Sequence, residues 1–269
     1  MSGNAPVAAR WWLATLLLGL VLLPFGAMLA QTFPQTSFSA EPAYGAPILA
    51  FEFAGSQADL IAVFGPDGDP LQIARLAAMR AGNEQDYVFL LLYGGFLGCG
   101  LAALWHELRL RPILAATALP ILAALCDACE NWLLFDIQAA FTAGDYSPAM
   151  ASLPYPVAAK FVLLALTNIV IGLALARVGG RWWTLAGTLV IVACVPVLMA
   201  IALPSHYGWT LPASVGGGWI VLLGTAAVGC WRHVIGKRSL IAIEAPRHRP
   251  PAPSAATAPR RPSFGRRRS

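Results

Sequence analysis

Charge is what this sequence is short of. Asp, Glu, Lys and Arg make up 12% of its 269 residues, against roughly a quarter in soluble domains. A chain that is also 58% hydrophobic has too little polar surface to coat a soluble core, so bilayer is its expected solvent. Period-two alternation is missing from its apolar runs, which excludes a transmembrane barrel in favour of helices. The loops between these runs have no cysteine. Cys99, Cys126, Cys129, Cys194 and Cys230 all fall in apolar segments or at their ends, so a disulfide-stapled outer domain is excluded. H-E-x-x-H, G-x-S-x-G and Walker sequences are absent, which removes the common intramembrane zinc protease and P-loop ATPase readings. His106 and His206 are isolated on opposite sides and cannot share a metal, so neither metal nor cofactor is expected.

What is present is a set of six long apolar runs: Trp11–Ala30, Tyr87–Trp105, Pro112–Phe135, Val157–Ala176, Trp182–Leu203 and Ala213–Trp231. Each has about the length needed to cross roughly 30 Å of hydrocarbon as a helix. The expected fold is all-α, a polytopic bundle of six spans. Pro24, Pro120 and Pro196 lie inside spans one, three and five and should kink them. The first run exceeds the usual h-region of about 7–15 residues, and Met28 occupies the −3 position before Gln31, so an uncleaved anchor is expected.

Basic residues set the orientation. Arg10, the Arg109/Arg111 and Arg177/Arg181 gaps and the tail from Arg232 hold 15 of the 18 Lys and Arg residues. Only Arg75, Arg80 and Lys160 belong to the other side. Both ends are therefore expected in the cytoplasm of a bacterial inner-membrane protein. Residues 1–10 form the cytoplasmic N-terminus, 11–231 the membrane domain and 232–269 a basic tail. That tail is rich in Pro, Arg and Ser, so it reads as disordered. Lipid headgroups beneath an anionic leaflet are its nearest partner, at about 1 kcal/mol per basic residue close to the surface, ahead of nucleic acid. The outer loop, 31–86, carries short helix signals. Pro47 opens a helix before Gly55, Ser56 caps Gln57–Phe64 before Gly65, and Asp69-Pro70 opens Leu71–Ala81 with Gly82 at its end. These helices are expected to pack over the outer mouth of the bundle.

The third span contains Asp127-Ala128-Cys129-Glu130-Asn131. Asp127, Glu130 and Asn131 fall at i, i+3 and i+4 and share one helix face. Asp127 lies about 22 Å along the span from its cytoplasmic end, in the outer third. Lys160 enters span four from outside at similar depth, so a pair with Glu130 or Asp127 is expected. A membrane carboxylate costs several kcal/mol unless paired or wet, so this face should look into the bundle. Asn168, about two turns deeper, extends the polar track or makes a helix–helix hydrogen bond. The binding residues read from the sequence are Asp127, Glu130, Asn131, Lys160 and Asn168. Asp127 and Glu130 are the acid/base candidates, Asp127 the more proton-active and Glu130 the partner of Lys160. Cys126 and Cys129 form a C-x-x-C, but no second cysteine pair stands in the loops to relay electrons, so both read as reduced thiols. Gly94 and Gly98 form a G-x-x-x-G and read as a close helix crossing.

The helices Ile48–Phe53 and Gln57–Phe64, Asp86-Tyr87-Val88-Phe89 with Tyr93, Asp127-x-x-Glu130-Asn131 and Lys160 come in an order that resembles a group of small bacterial integral membrane proteins of unknown function. The resemblance covers about Ile48 to Ala176. It implies the membrane fold and carries no activity with it. The residues themselves point to binding of a small molecule or lipid, or to membrane organisation, through a periplasm-facing polar cluster. A membrane enzyme on a lipid-like substrate and a proton-coupled transporter are the alternatives. A homo-oligomer could supply a transporter's second half.

Reporter fusions at Gly65 and Ser254 are expected to report opposite compartments, periplasm for the first and cytoplasm for the second. The same compartment for both would overturn the span count.

Overall fold

The computed structural model describes residues 5–236 and 239–241. All regular elements among them are helical. Helix α1 (Ala5–Thr32) is followed by two short helices, α2 (Pro47–Glu52) and α3 (Gln57–Phe64), and by the long α4 (Gln72–Leu108). The third passage is split into α5 (Arg111–Ala116) and α6 (Ala118–Ala143), and the fourth is α7 (Pro154–Val178). The fifth is split into α8 (Arg181–Ala193) and α9 (Val195–Ala202); a single turn, α10 (Pro204–Tyr207), leads to α11 (Thr210–Val234). Six of these passages are long and apolar enough to cross a membrane, and the chain is an all-helical, multi-pass membrane protein. Leu17, Leu91, Leu125, Leu166 and Leu198 are exposed on the bundle's flanks, where lipid covers them.

Two of the three internal prolines mark the breaks. Pro120 and Pro196 lack the N–H that would reach the carbonyl four residues back. The chain changes helix just before each, at Thr117 and Cys194. Pro24 lies inside an unbroken α1.

α4 packs between α1 and α6, and α7 packs against α6, α8 and α11. At one end of the bundle Glu107 gathers α1, α4 and α11. Its Oε1 accepts from Trp12 Nε1 at 3.1 Å and meets His233 Nε2, and its Oε2 accepts from the Leu240 amide at 3.1 Å. This terminal face carries the ends of α1 and α11 that lead to the chain termini. The tail residues beyond 241, expected to be basic and disordered, lie outside the described residues. The opposite loop face carries α2, α3 and α10, tied by Ser39 N to Ala62 O at 2.8 Å and Trp209 N to Ala43 O at 3.0 Å.

The loop helices begin and end largely as their signals predict. Pro47 stands at the start of α2. Ser56 caps α3 by accepting from Asp59 N, and Gly65 closes it at φ 100°. Asp69 accepts from Leu71 N at 3.1 Å and pairs with Arg75, which also donates to Phe64 O at 3.0 Å. The Leu71 N–H first, and Arg75 after it, hold the Asp69 carboxyl below its ordinary range. One expectation is corrected. The helix after Asp69-Pro70 does not end at Gly82 but continues for 37 residues as α4, about 55 Å. Gly82 is helical and buried, and the Phe33 ring fills the space a Cβ would need. Its small size is used for packing, so it does not act as a stop. α4 thus projects beyond the hydrocarbon, and the loop helices assemble around its projecting end.

The expected close crossing at Gly94 and Gly98 is corrected as well. A Cβ on Gly94 would make ordinary contact with α6, and one on Gly98 would meet nothing within 4 Å. The tight crossing is between α7 and α8. A Cβ on Gly172 would come within 2.6 Å of the Gly187 carbonyl oxygen, and one on Gly187 would collide with the Gly172 backbone. Gly187→Ala is expected to destabilise the detergent-solubilised protein by about 1–3 kcal/mol, the usual penalty of overpacking. Gly98→Ala should leave the melting midpoint unchanged or raise it, because alanine is the better helix former by about 1 kcal/mol. The reverse ranking in a thermal melt would restore the Gly94–Gly98 crossing.

Candidate functional site

The α6 backbone sets Asp127, Glu130 and Asn131 on one face, and all three are buried. Facing them, α7 presents Lys160, only 6% exposed. Lys160 Nζ lies 2.8 Å from Glu130 Oε1 and 3.1 Å from Asp127 Oδ1. The lysine therefore meets both carboxylates, where the sequence left the choice open. A third carboxylate comes from outside the spans. Glu52, the last residue of α2, places Oε2 3.3 Å from Nζ, within ion-pair range but outside hydrogen-bond geometry. Burial pushes the Glu52 carboxyl above its ordinary range, and the Lys160 ammonium draws it the other way.

Sequence reasoning missed Glu52. Its signal was a lone carboxylate in an otherwise wholly apolar run, Pro47 to Phe53. Leu49, Ala50 and Phe51 of that run are buried with it. A helix docked by its apolar side carries its only charge into the interior.

Two further groups join from α4. Tyr93 donates its hydroxyl to Asp127 Oδ2 at 2.9 Å, and Asp86 Oδ2 accepts from Asn131 Nδ2 at 2.6 Å. Asp86 and Tyr93 were visible at the start of span two but were not singled out as site residues. Asn83, one turn before Asp86, stands in no motif that marks it in the sequence. It is fully buried, and neither its amide nitrogen nor its amide oxygen has a hydrogen-bond partner among the described residues. Asn168 stands apart from this group. Its Nδ2 donates to Val215 O on α11 at 3.0 Å, and the amide packs against Gly218.

A cavity of about 350 Å³ opens beside the cluster on the loop face. Its polar side is lined by Glu52, Asn83, Asp86, Asp127, Asn131 and Lys160. Its apolar side includes Phe89, Tyr93, Phe161 and Trp219. The rings of Phe89, Tyr93 and Trp219 stand 5.5–6.0 Å apart, centroid to centroid. Glu130 and Asn168 are not among the lining residues. Nor are Cys126 and Cys129, which carry free thiols. Among the described residues no group of His, Cys, Asp or Glu is placed to hold a metal ion.

Chemically, the site is one ammonium against several carboxyls. An ammonium beside three carboxyl groups has no lone pair to offer, so the arrangement suits a counter-charge and not a nucleophile. Asp127 and Glu52 both touch the lysine and the cavity, and of the two Asp127 is hydrogen-bonded to Lys160 and to the Tyr93 hydroxyl. Glu130 sits behind it.

Removing one partner of a buried ionic group typically costs about 3–5 kcal/mol, because the other charges are stranded. Lys160→Ala is therefore expected to lower the melting midpoint of the detergent-solubilised protein far more than Leu91→Ala, which trims a side chain that is 71% exposed on the lipid flank. Equal midpoints for the two variants would mean that Lys160 is solvated and not compensated by the carboxylates. Comparison with family models, curated proteins and solved structures finds no match for this chain.

Proposed function

We propose that this chain is a bacterial inner-membrane protein that binds a small amphiphile, lipid or lipid-like, in the loop-face cavity. Both chain ends lie in the cytoplasm and the cavity faces the periplasm. The observation that carries this reading is the two-part lining. One side of the cavity is a buried, hydrogen-bonded ionic cluster and the other is aromatic and aliphatic. Ligand sites are concave, mostly apolar and furnished with a few convergent polar groups, in volumes of about 300–1,000 Å³. A clamp that only fixed helix packing would need the ion pairs but not the space beside them, because protein interiors close up around structural contacts. The skew of basic residues toward the terminal face supports the orientation.

A membrane enzyme on a lipid-like substrate is the second reading, and the Tyr93–Asp127 hydrogen bond at 2.9 Å favours it. In that reading Asp127 exchanges a proton with the bound molecule, directly or through the Tyr93 hydroxyl. Glu130 holds Lys160 from behind. Asp127→Asn then abolishes conversion of the bound molecule but not its retention, and Glu130→Gln acts chiefly on stability.

Gly216 lines the cavity, and a Cβ there would meet nothing within 4 Å. Gly216→Phe is thus expected to fill the space without disturbing the bundle. Mass spectrometry of molecules co-purifying in a non-ionic detergent should find an amphiphile on the wild-type protein, reduced about tenfold or more on Gly216→Phe at an unchanged or higher melting midpoint. The same bound complement on both proteins would overturn the binding function.

A further inference from the structure

We infer that the molecule held in the cavity is a cation: an alkylammonium group set against Asp86 and Asn83, with its chain along Phe89 and Trp219. This inference rests on the binding function proposed above and names the chemical class of its ligand.

The charged lining of the cavity is Glu52, Asp86, Asp127 and Lys160. Three carboxyls thus face the space against a single basic side chain. That side chain is already engaged with Glu52, Asp127 and Glu130. Asp86 is left out of these ion pairs and has only the Asn131 amide on one of its oxygens. Asn83 lies three residues earlier on α4, on the same face. It lines the cavity, is fully buried and has no partner for its amide oxygen or nitrogen. An unpaired buried amide is costly to keep, so its place beside the cavity points to a partner arriving from within it. The Asn83 oxygen and the Asp86 carboxylate are both acceptors, and a primary ammonium supplies the N–H donors both can take.

The apolar side agrees with this charge. Phe89, Tyr93 and Trp219 lie within 6.0 Å of one another, centroid to centroid, beside the acidic side. Aromatic faces attract cations, most strongly where water is excluded. Trp219 Nε1, buried and without a hydrogen-bond partner among the described residues, would suit a hydroxyl or carbonyl near the amine. An anion would meet the carboxyls and find the lysine of the lining, Lys160, already committed. A neutral molecule would leave Asp86 with only the Asn131 amide as its partner.

The same ammonium can come from a free long-chain amine or from the ethanolamine headgroup of a phospholipid. The full-length protein in dodecyl maltoside at pH 7 is melted against increasing decylamine, decanol, decanoate and dihexanoyl phosphatidylethanolamine. Decylamine is expected to raise the midpoint saturably, with half-saturation at least tenfold below that of decanol, and decanoate to have no effect. Asp86→Asn and Asn83→Leu should each reduce the preference for decylamine over decanol about tenfold. That ratio is insensitive to a shift in basal stability. If Asp86→Asn fails to fold, Asp86→Glu, which should keep the preference, and Asn83→Leu carry the test. Phosphatidylethanolamine acting like decylamine assigns the lipid headgroup, and decylamine acting alone assigns the free amine; either supports the inference. Two results overturn the cation while leaving the binding function standing: decanol or decanoate binding as tightly as decylamine but lost in Gly216→Phe, or a decylamine preference untouched in both Asp86→Asn and Asn83→Leu. No probe discriminating wild type from Gly216→Phe would overturn both.

Discussion

A lysine ammonium closed off from water at the depth of Lys160 has to find its compensation inside the protein. Lipid offers it nothing, and an unpaired charge there costs several kcal/mol. Its three carboxylate neighbours come from two elements far apart in sequence: Asp127 and Glu130 from α6, and Glu52 from α2. Meeting that single demand sets the register of α7 against α6 and fixes where the loop helix docks. Buried ion pairs seldom add much net stability over an apolar replacement, and what they supply best is one defined arrangement in place of several. Here the arrangement defined is a roof. With Glu52 drawn in, the apolar residues of α2 close over the space between α1, α4 and α11.

The opposite end is organised by the same kind of contact. Glu107, its side chain buried, holds Trp12, His233 and the Leu240 amide, so α1, α4 and α11 are joined there by one carboxylate. Between the two ends the helices meet through small residues. Gly19 approaches Phe96 and Leu223, and Gly229 lies against the Trp12 ring. Near the terminal face α1 and α11 therefore touch. Near the loop face Gly26 and Leu29 of α1 and Leu211 and Gly216 of α11 line the cavity instead. The cavity is where two helices held together at one end are no longer filled in at the other.

Much of this was legible in the sequence because it depends on periodicity and solvent. Twenty apolar residues in a row specify a spanning helix whatever their neighbours, and the six passages follow from that. Asp127, Glu130 and Asn131 share a face by helix spacing alone, and Lys160 reaches their depth because one loop joins its span to theirs. Glu52, Asp86 and Asn83 were not legible as site residues in the same way. Their role depends on how a connecting loop folds back on the bundle, and no local pattern encodes that. Gly82 and Gly98 show the same limit from the other side. Glycine signals freedom, but whether it ends a helix, admits a ring or faces open space depends on what stands opposite. Phe33 decides the first case and an absent neighbour the second. The tight crossing fell to Gly172 and Gly187, whose spacing in sequence announces nothing.

On the proposed binding reading, charge balance is what sets this site apart from a simple clamp. Glu52, Asp127 and Glu130 form one connected group with Lys160 and Tyr93, and Asp86, paired with Asn131, lines the same cavity. One ammonium neutralises one carboxylate, and the rest of the charge requires protons or a second cation. Burial raises the Glu52 carboxyl above its ordinary range, and the Lys160 ammonium draws it the other way. A carboxyl raised by folding favours the folded state below its ordinary pKa, and that contribution declines as pH rises toward the raised value. A bound ammonium would supply the same compensation without the proton. On the binding reading proposed above, proton and cation would compensate the same surplus of carboxyls, so the binding of one would oppose the binding of the other.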